Sequence, residues 1–154
     1  MTQKVFISLP FTSDEYTIRE RQESLLDKVQ SMLHLGNTQL LDSFITLSDK
    51  QLVKYESKSA AYLGLSIEIL ARADIAIFDY LCKSYRGCLT ELQVCRRYGI
   101  PHVVFTDESL NKAQYWKPLL DEDTNEILDW RVHIISEIPF ASASELSKEI
   151  DICE

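Results

Sequence analysis

Short runs of β-forming, mostly apolar residues recur in the chain at Val5-Phe6-Ile7, Ile75-Ala76-Ile77-Phe78 and His102-Val103-Val104-Phe105. Between them the apolar residues return every three or four positions instead, as Ile18, Leu25, Leu26, Val29, Met32 and Leu33 in one segment and Leu63, Ile67, Leu70 and Ala71 in another. An uninterrupted apolar run leaves a strand no face for water, so both faces need covering, and helices with one apolar stripe supply the cover. Strands joined through helices run parallel, with right-handed crossovers. The expected fold class is α/β, a parallel sheet flanked by helices.

The punctuation sets the expected elements. Strands are predicted near 4–9, 39–46, 75–79 and 102–106, the first stopped by Pro10. Thr12 or Ser13 is the expected cap of the first helix, which runs toward Gly36; a second helix starts at Ala60, and a third covers 87–97 before Gly99 and Pro101. The stretch 47–58 reads as a loop with some helix. Beyond 106 come an acidic linker, a short strand at 132–135, and a terminal helix from Ser142 or Ser144 to Ile150.

The 154 residues suit a single domain, 1–154, and 45% hydrophobic with 26% charged residues is ordinary globular composition. The formal charge of −8 argues against a nucleic-acid polymer or an anionic membrane as partner. Twelve acids and twelve bases balance over 1–106, while 107–154 holds twelve acids and four bases, so an anion site belongs to the first part and the remainder is an acidic C-terminal extension. Cys82, Cys88, Cys95 and Cys153 lack CxxC spacing and a matching His cluster, which gives no metal site and no metal cofactor. His34, His102 and His133 are scattered among apolar neighbours and suggest neither ligand nor base. No 18-residue apolar stretch and no signal-peptide core is present, so the expected location is cytoplasmic.

In parallel sheets ligands bind beyond the carboxyl ends of the strands. Three segments meet there: Ser8, Pro10 and Phe11 after the first strand, Asp79 after the third, and Ser84, Arg86 and Gly87 in the turn leading to Glu91. Asp79 is placed to hold a polar group of a ligand, which on the resemblance described below is a ribose hydroxyl or a base edge, and Arg86 beside exposed helix N–H groups suits a phosphate or carboxylate. Asp74, at the opposite end of its strand, reads as structural. The Tyr115, Trp116 and Lys117 group suits a lid or subunit contact. No GxGxxG, P-loop or GxSxG motif occurs, which weakens the dinucleotide, NTPase and hydrolase readings.

The order KVFISLPF, then YLGLSIEILARADIAIFD, then SYRGCLTELQVCRRYGIPHVVF resembles the nucleoside 2-deoxyribosyltransferase-like superfamily, particularly its small phage and bacterial branch, over roughly 4–106. The resemblance implies a flavodoxin-like or Rossmann-like domain without a cofactor. It implies cleavage or transfer of the N-glycosidic bond of a nucleoside or nucleotide, of deoxyribosyltransferase or nucleoside hydrolase type. Glu91 matches the position of the catalytic glutamate, and a homodimer or larger homo-oligomer is expected. A carboxylate suits that chemistry because the anomeric carbon turns oxocarbenium-like as the base departs. The chain departs from the family at Phe6, where its enzymes carry a tyrosine, and at Ser66, where they carry an aspartate. Tyr16, Tyr62, Tyr80 and Tyr85 stand open as substitutes. Two other readings remain beside the enzyme: a non-catalytic nucleotide-binding or sensing module, and a Toll/interleukin-receptor-like interaction or NAD-cleaving domain.

Overall fold

A computed structural model describes residues 2–44, 47–136 and 149–152. The elements in chain order are β1 (Gln3–Ser8), α1 (Glu15–Leu33), β2 (Thr38–Leu40), α2 (Asp49–Leu52), α3 (Lys58–Leu70), β3 (Ile75–Phe78), a 3-10 helix (Tyr80–Ser84), α4 (Arg86–Tyr98), β4 (His102–Phe105), β5 (Lys112–Leu120), β6 (Ile127–Ser136) and β7 (Glu149–Ile152). The strands form one sheet in the order β2-β1-β3-β4-β5-β6-β7.

The first four strands are parallel, as expected from the apolar runs of β1, β3 and β4. Alternate residues of these strands serve opposite layers. Val5, Ile7, Ile75, Ile77, Val103 and Phe105 join Ile18, Leu25 and Val29 of α1 in one core. Phe6, Ala76 and Phe78 face the other way, toward Leu70 of α3 and Cys88 and Cys95 of α4. The sheet is therefore covered on both faces where its strands are apolar on both.

The parallel expectation fails at the other half. β5, β6 and β7 run antiparallel to their neighbours, making the sheet mixed. β5 and β6 are joined by a tight turn in which Asn125 has φ 59 and the Asp121 carboxylate accepts the N–H groups of Asp123 and Thr124. So short a connection permits only antiparallel pairing, and the acidic residues expected in a linker are in part the turn's own. Pro118 is tolerated in β5 because β4 pairs only with 113–116, leaving that flank of β5 open beyond it. The short strand expected at 132–135 falls within the second half of the ten-residue β6. Most of the terminal helix expected up to Ile150 lies outside the described residues, and Ile150 itself belongs to β7.

Local signals were shifted by a few residues. Asp14, not Thr12 or Ser13, caps α1 by accepting the Thr17 N–H at 2.8 Å, and the helix ends at His34 in the left-handed conformation rather than at Gly36. Ser57 caps α3, and Ser48 with Gln51 forms the reciprocal cap of α2. β2 is three residues long instead of eight.

Trp116 is neither lid nor exposed contact. It stacks on His102 with ring centroids 5.6 Å apart, meets Trp130 edge-on, and carries the Arg96 guanidinium 4.0 Å above its ring. His102 is fully buried, with Nδ1 against the Ile100 carbonyl at 2.9 Å, so its neutral Nδ1–H form is the one that fits. Burial lowers its pKa to about 4.

Candidate functional site

A cavity of about 600 Å³ opens at the carboxyl end of β1, walled by α3 and the start of α4. Ser8, Pro10, Phe11, Gly87 and Glu91 all line it. The chain reaches this point because Leu9-Pro10 leaves the sheet after Ser8, and because α4 begins directly behind an extended Tyr85 (φ −123, ψ 127). No side chain caps the first turn of α4.

Glu91 stands in the second turn of α4, 6% exposed, and its partners are two hydroxyls. Ser8 Oγ donates to Oε1 at 2.9 Å and Ser66 Oγ donates to Oε2 at 2.5 Å. Among the described residues no cation pairs with it. Burial raises the Glu91 pKa, and the Ser66 and Ser8 hydrogen bonds pull it partly back. A buried carboxylate is costly unless its lone pairs are met, and here neutral donors from two separate elements meet them. Being one turn further in than the helix start, Glu91 is not explained as a residue balancing the helix dipole.

The two departures from the resembled family gain meaning from this geometry. Ser66, which stands where an aspartate is expected, holds the glutamate directly. Phe6 is packed between the helices, and the hydroxyl that β1 offers the glutamate comes instead from Ser8, two residues later on the same face. The tyrosines separate as well: Tyr62 and Tyr85 line the cavity, whereas Tyr16 is 73% exposed and the Tyr80 hydroxyl accepts from Lys83. At the rim Phe11 stacks on Phe44 with centroids 4.6 Å apart, and the Arg19 guanidinium lies 4.4 Å over the Phe44 ring.

Three expected ligand contacts lie outside the cavity wall. Asp79 is 1% exposed and its carboxylate is taken: Arg21 Nε and Nη2 donate to its two oxygens at 2.8 and 2.9 Å, and the Leu81 N–H donates at 3.3 Å. A carboxylate at that depth needs a countercharge, and the α1 arginine provides it. Ser84 ends the 3-10 helix and is exposed. Arg86 is exposed at the first position of α4 and is not among the residues that line the cavity. Asp74 accepts the Lys4 N–H at 2.8 Å at the opposite edge of the sheet.

Sequence reasoning missed Arg21 and the role of Ser66. Neither has a local signal, since their partners are 58 and 25 positions away. The described residues contain no group of His, Cys, Asp and Glu side chains able to hold a metal ion, and no helix long and apolar enough to cross a membrane. No protein-family model matches the chain, and no curated protein matches it. The chemistry of the site has to come from its own residues.

Proposed function

We propose that the Glu91 cavity binds a nucleoside and cleaves or transfers its N-glycosidic bond, with Glu91 as the group that meets the anomeric carbon. The observation that carries this reading is a cavity-wall carboxylate held by two hydroxyls and, among the described residues, by no cation. A carboxylate already neutralised by an arginine has little charge left for an oxocarbenium-like carbon, whereas one oriented by neutral donors keeps its charge for it. Ser8 and Ser66 are positioning residues in this scheme. Tyr62, Tyr85 and Phe11 offer rings to the base.

The same lining favours an uncharged nucleoside over a nucleotide, since the cavity presents hydroxyls and rings and, among its described lining residues, no Lys, Arg or His. The order β2-β1-β3-β4 is also how flavodoxin-like sheets begin, although β5 then departs by running antiparallel. A homo-oligomer belongs to the reading because α3 is apolar and Leu70 is its one buried residue. The free thiols of Cys82, Cys88 and Cys95 suit a reducing, cytoplasmic setting.

A binding module without turnover is the second reading, and what favours it is the depth of Glu91, whose 6% exposure leaves little of the carboxylate open to a sugar. One experiment separates the readings. The protein is incubated with nucleosides, their 5′-monophosphates and NAD, and free base or nicotinamide is followed by chromatography. Base release from nucleosides is expected. Nicotinamide release alone points to the NAD-cleaving class, and saturable nucleoside binding without any release points to the module.

A further inference from the structure

The wall between the Glu91 cavity and its neighbour is made by a thiol. Cys88 lines both the 600 Å³ cavity and a second one of about 300 Å³, which Cys82 lines as well. Cys82 lies in the 3-10 helix and Cys88 in the first turn of α4, and the two belong to one packed cluster of buried side chains. Cys82 Sγ also donates to the Ser8 carbonyl at 3.0 Å and lies 3.6 Å from Ser8 Oγ. Both residues are buried, at 5% and 4% exposure, yet each faces a cavity. Such a pair is unlike Cys95, which is fully buried and lines neither cavity.

We propose that Cys82 and Cys88 form a reversible dithiol–disulfide site that a small peroxide oxidises through these cavities. The Cys88 thiolate attacks one peroxide oxygen, the O–O bond breaks, and the leaving hydroxide takes up a proton to become water. Cys88 is then a sulfenic acid. Cys82 sulfur attacks the Cys88 sulfur, the S–O bond breaks, and the departing hydroxide takes the Cys82 proton as a second water. The dithiol loses two electrons and the peroxide gains them.

The division of roles follows from the surroundings. Cys88 sits in the uncapped first turn of α4, and the neighbouring Cys82 thiol lowers its pKa against the opposing effect of burial. Cys82 keeps its proton, because it is buried and donates to the Ser8 carbonyl. Burial pushes Cys95 up to about 12, which leaves it inert. The short connection between the two sulfurs can adjust as they close, since Lys83, Ser84, Tyr85 and Arg86 are all exposed and a Cβ at Gly87 would meet nothing within 4 Å. Closing the bond removes the thiol donor from the Ser8 carbonyl and shifts the neighbours of the hydroxyl that holds Glu91. Any effect on turnover rests on the glycosidic reading above; the bond itself does not.

The test reads the bond directly. The full chain is treated with hydrogen peroxide, free thiols are alkylated under denaturing conditions, and unreduced tryptic peptides are mapped by mass spectrometry. Lys83 and Arg86 fall between the two cysteines, so cleavage leaves peptides 73–83 and 87–96 joined only by a disulfide. The expected result is about a tenfold rise of the joined peptide, with fragmentation assigning Cys88 as the partner, Cys95 alkylated, and the link lost with dithiothreitol. Cys82→Ser is expected to stop at a Cys88 sulfenic acid that dimedone traps. Recovery of both thiols in alkylated form, or a link from Cys82 to Cys95 or Cys153, overturns the proposal. No nucleoside is present, so failure here and failure of base release are separate results.

Discussion

Replacing Arg21 with methionine keeps most of the aliphatic stem and removes the fork that holds Asp79. The Asp79 side chain is fully buried and Arg21 is 35% exposed, so the carboxylate has lost its water while the guanidinium keeps some. Removing one partner of a fully buried pair costs about 3–5 kcal/mol, chiefly because the other charge is left uncompensated. Partial access of water to Arg21 puts this case at the lower end, about 3 kcal/mol. The Leu81 N–H at 3.3 Å is too little to replace the fork. For a chain of this length that corresponds to a fall in Tm of roughly 6–12 °C. Asp79→Asn should cost about 1–2 kcal/mol, because the amide oxygen can still cap the 3-10 helix. The Arg21→Met, Asp79→Asn double variant should recover at least about 1 kcal/mol of the Arg21→Met loss. Urea unfolding followed by circular dichroism, with unchanged m-values, measures all three. If Arg21→Met costs under about 0.5 kcal/mol, as a surface pair would, or the double variant loses the sum of the singles, the assignment of Asp79 as a structural carboxylate is wrong.

Glu91→Gln should lower base release by roughly a thousandfold, about 4 kcal/mol of barrier, with nucleoside binding retained; undiminished release removes Glu91 from the chemistry. The folded protein binds the Glu91 proton more tightly than the unfolded chain, so wild-type stability falls as pH rises through the raised pKa. The glutamine variant should lack that fall and melt no lower than wild type at neutral pH. Ser66→Ala removes a donor that favours the carboxylate and should move the Glu91 titration, followed by carbon-13 NMR of the side-chain carboxyl, to higher pH; an unmoved midpoint contradicts the hydrogen bond. His102 has a folded pKa of about 4 against 6.5 for the free side chain, so the unfolded chain takes up the proton first as pH falls. Stability should drop by up to about 3 kcal/mol between those two values, and proton NMR should find the His102 ring untitrated at pH 5.5; a ring titrating near 6.5 refutes it.

Period and punctuation determined the parallel half of the sheet, because strands such as Ile75–Phe78 with no polar face can be stable only between two helical layers. They also placed Glu91 and Ser8 at the same end of that sheet, since a strand's carboxyl end and the helix that follows it are set by chain order alone. The antiparallel half was not legible. Lys112, Gln114, Lys117 and Pro118 interrupt the apolar pattern of β5, and it pairs as a strand because β4 and β6 lie beside it. The site divided in the same way. Which carboxylate is held by hydroxyls and which by an arginine depends on where Ser66 and Arg21 point after α3 and α1 have packed on opposite faces of the sheet. Asp79 and Glu91 are both acids at strand ends or helix starts in sequence, and only packing gave one of them a cation and left the other its charge, because partners 58 and 25 residues distant are chosen by the tertiary fold and not by local spacing.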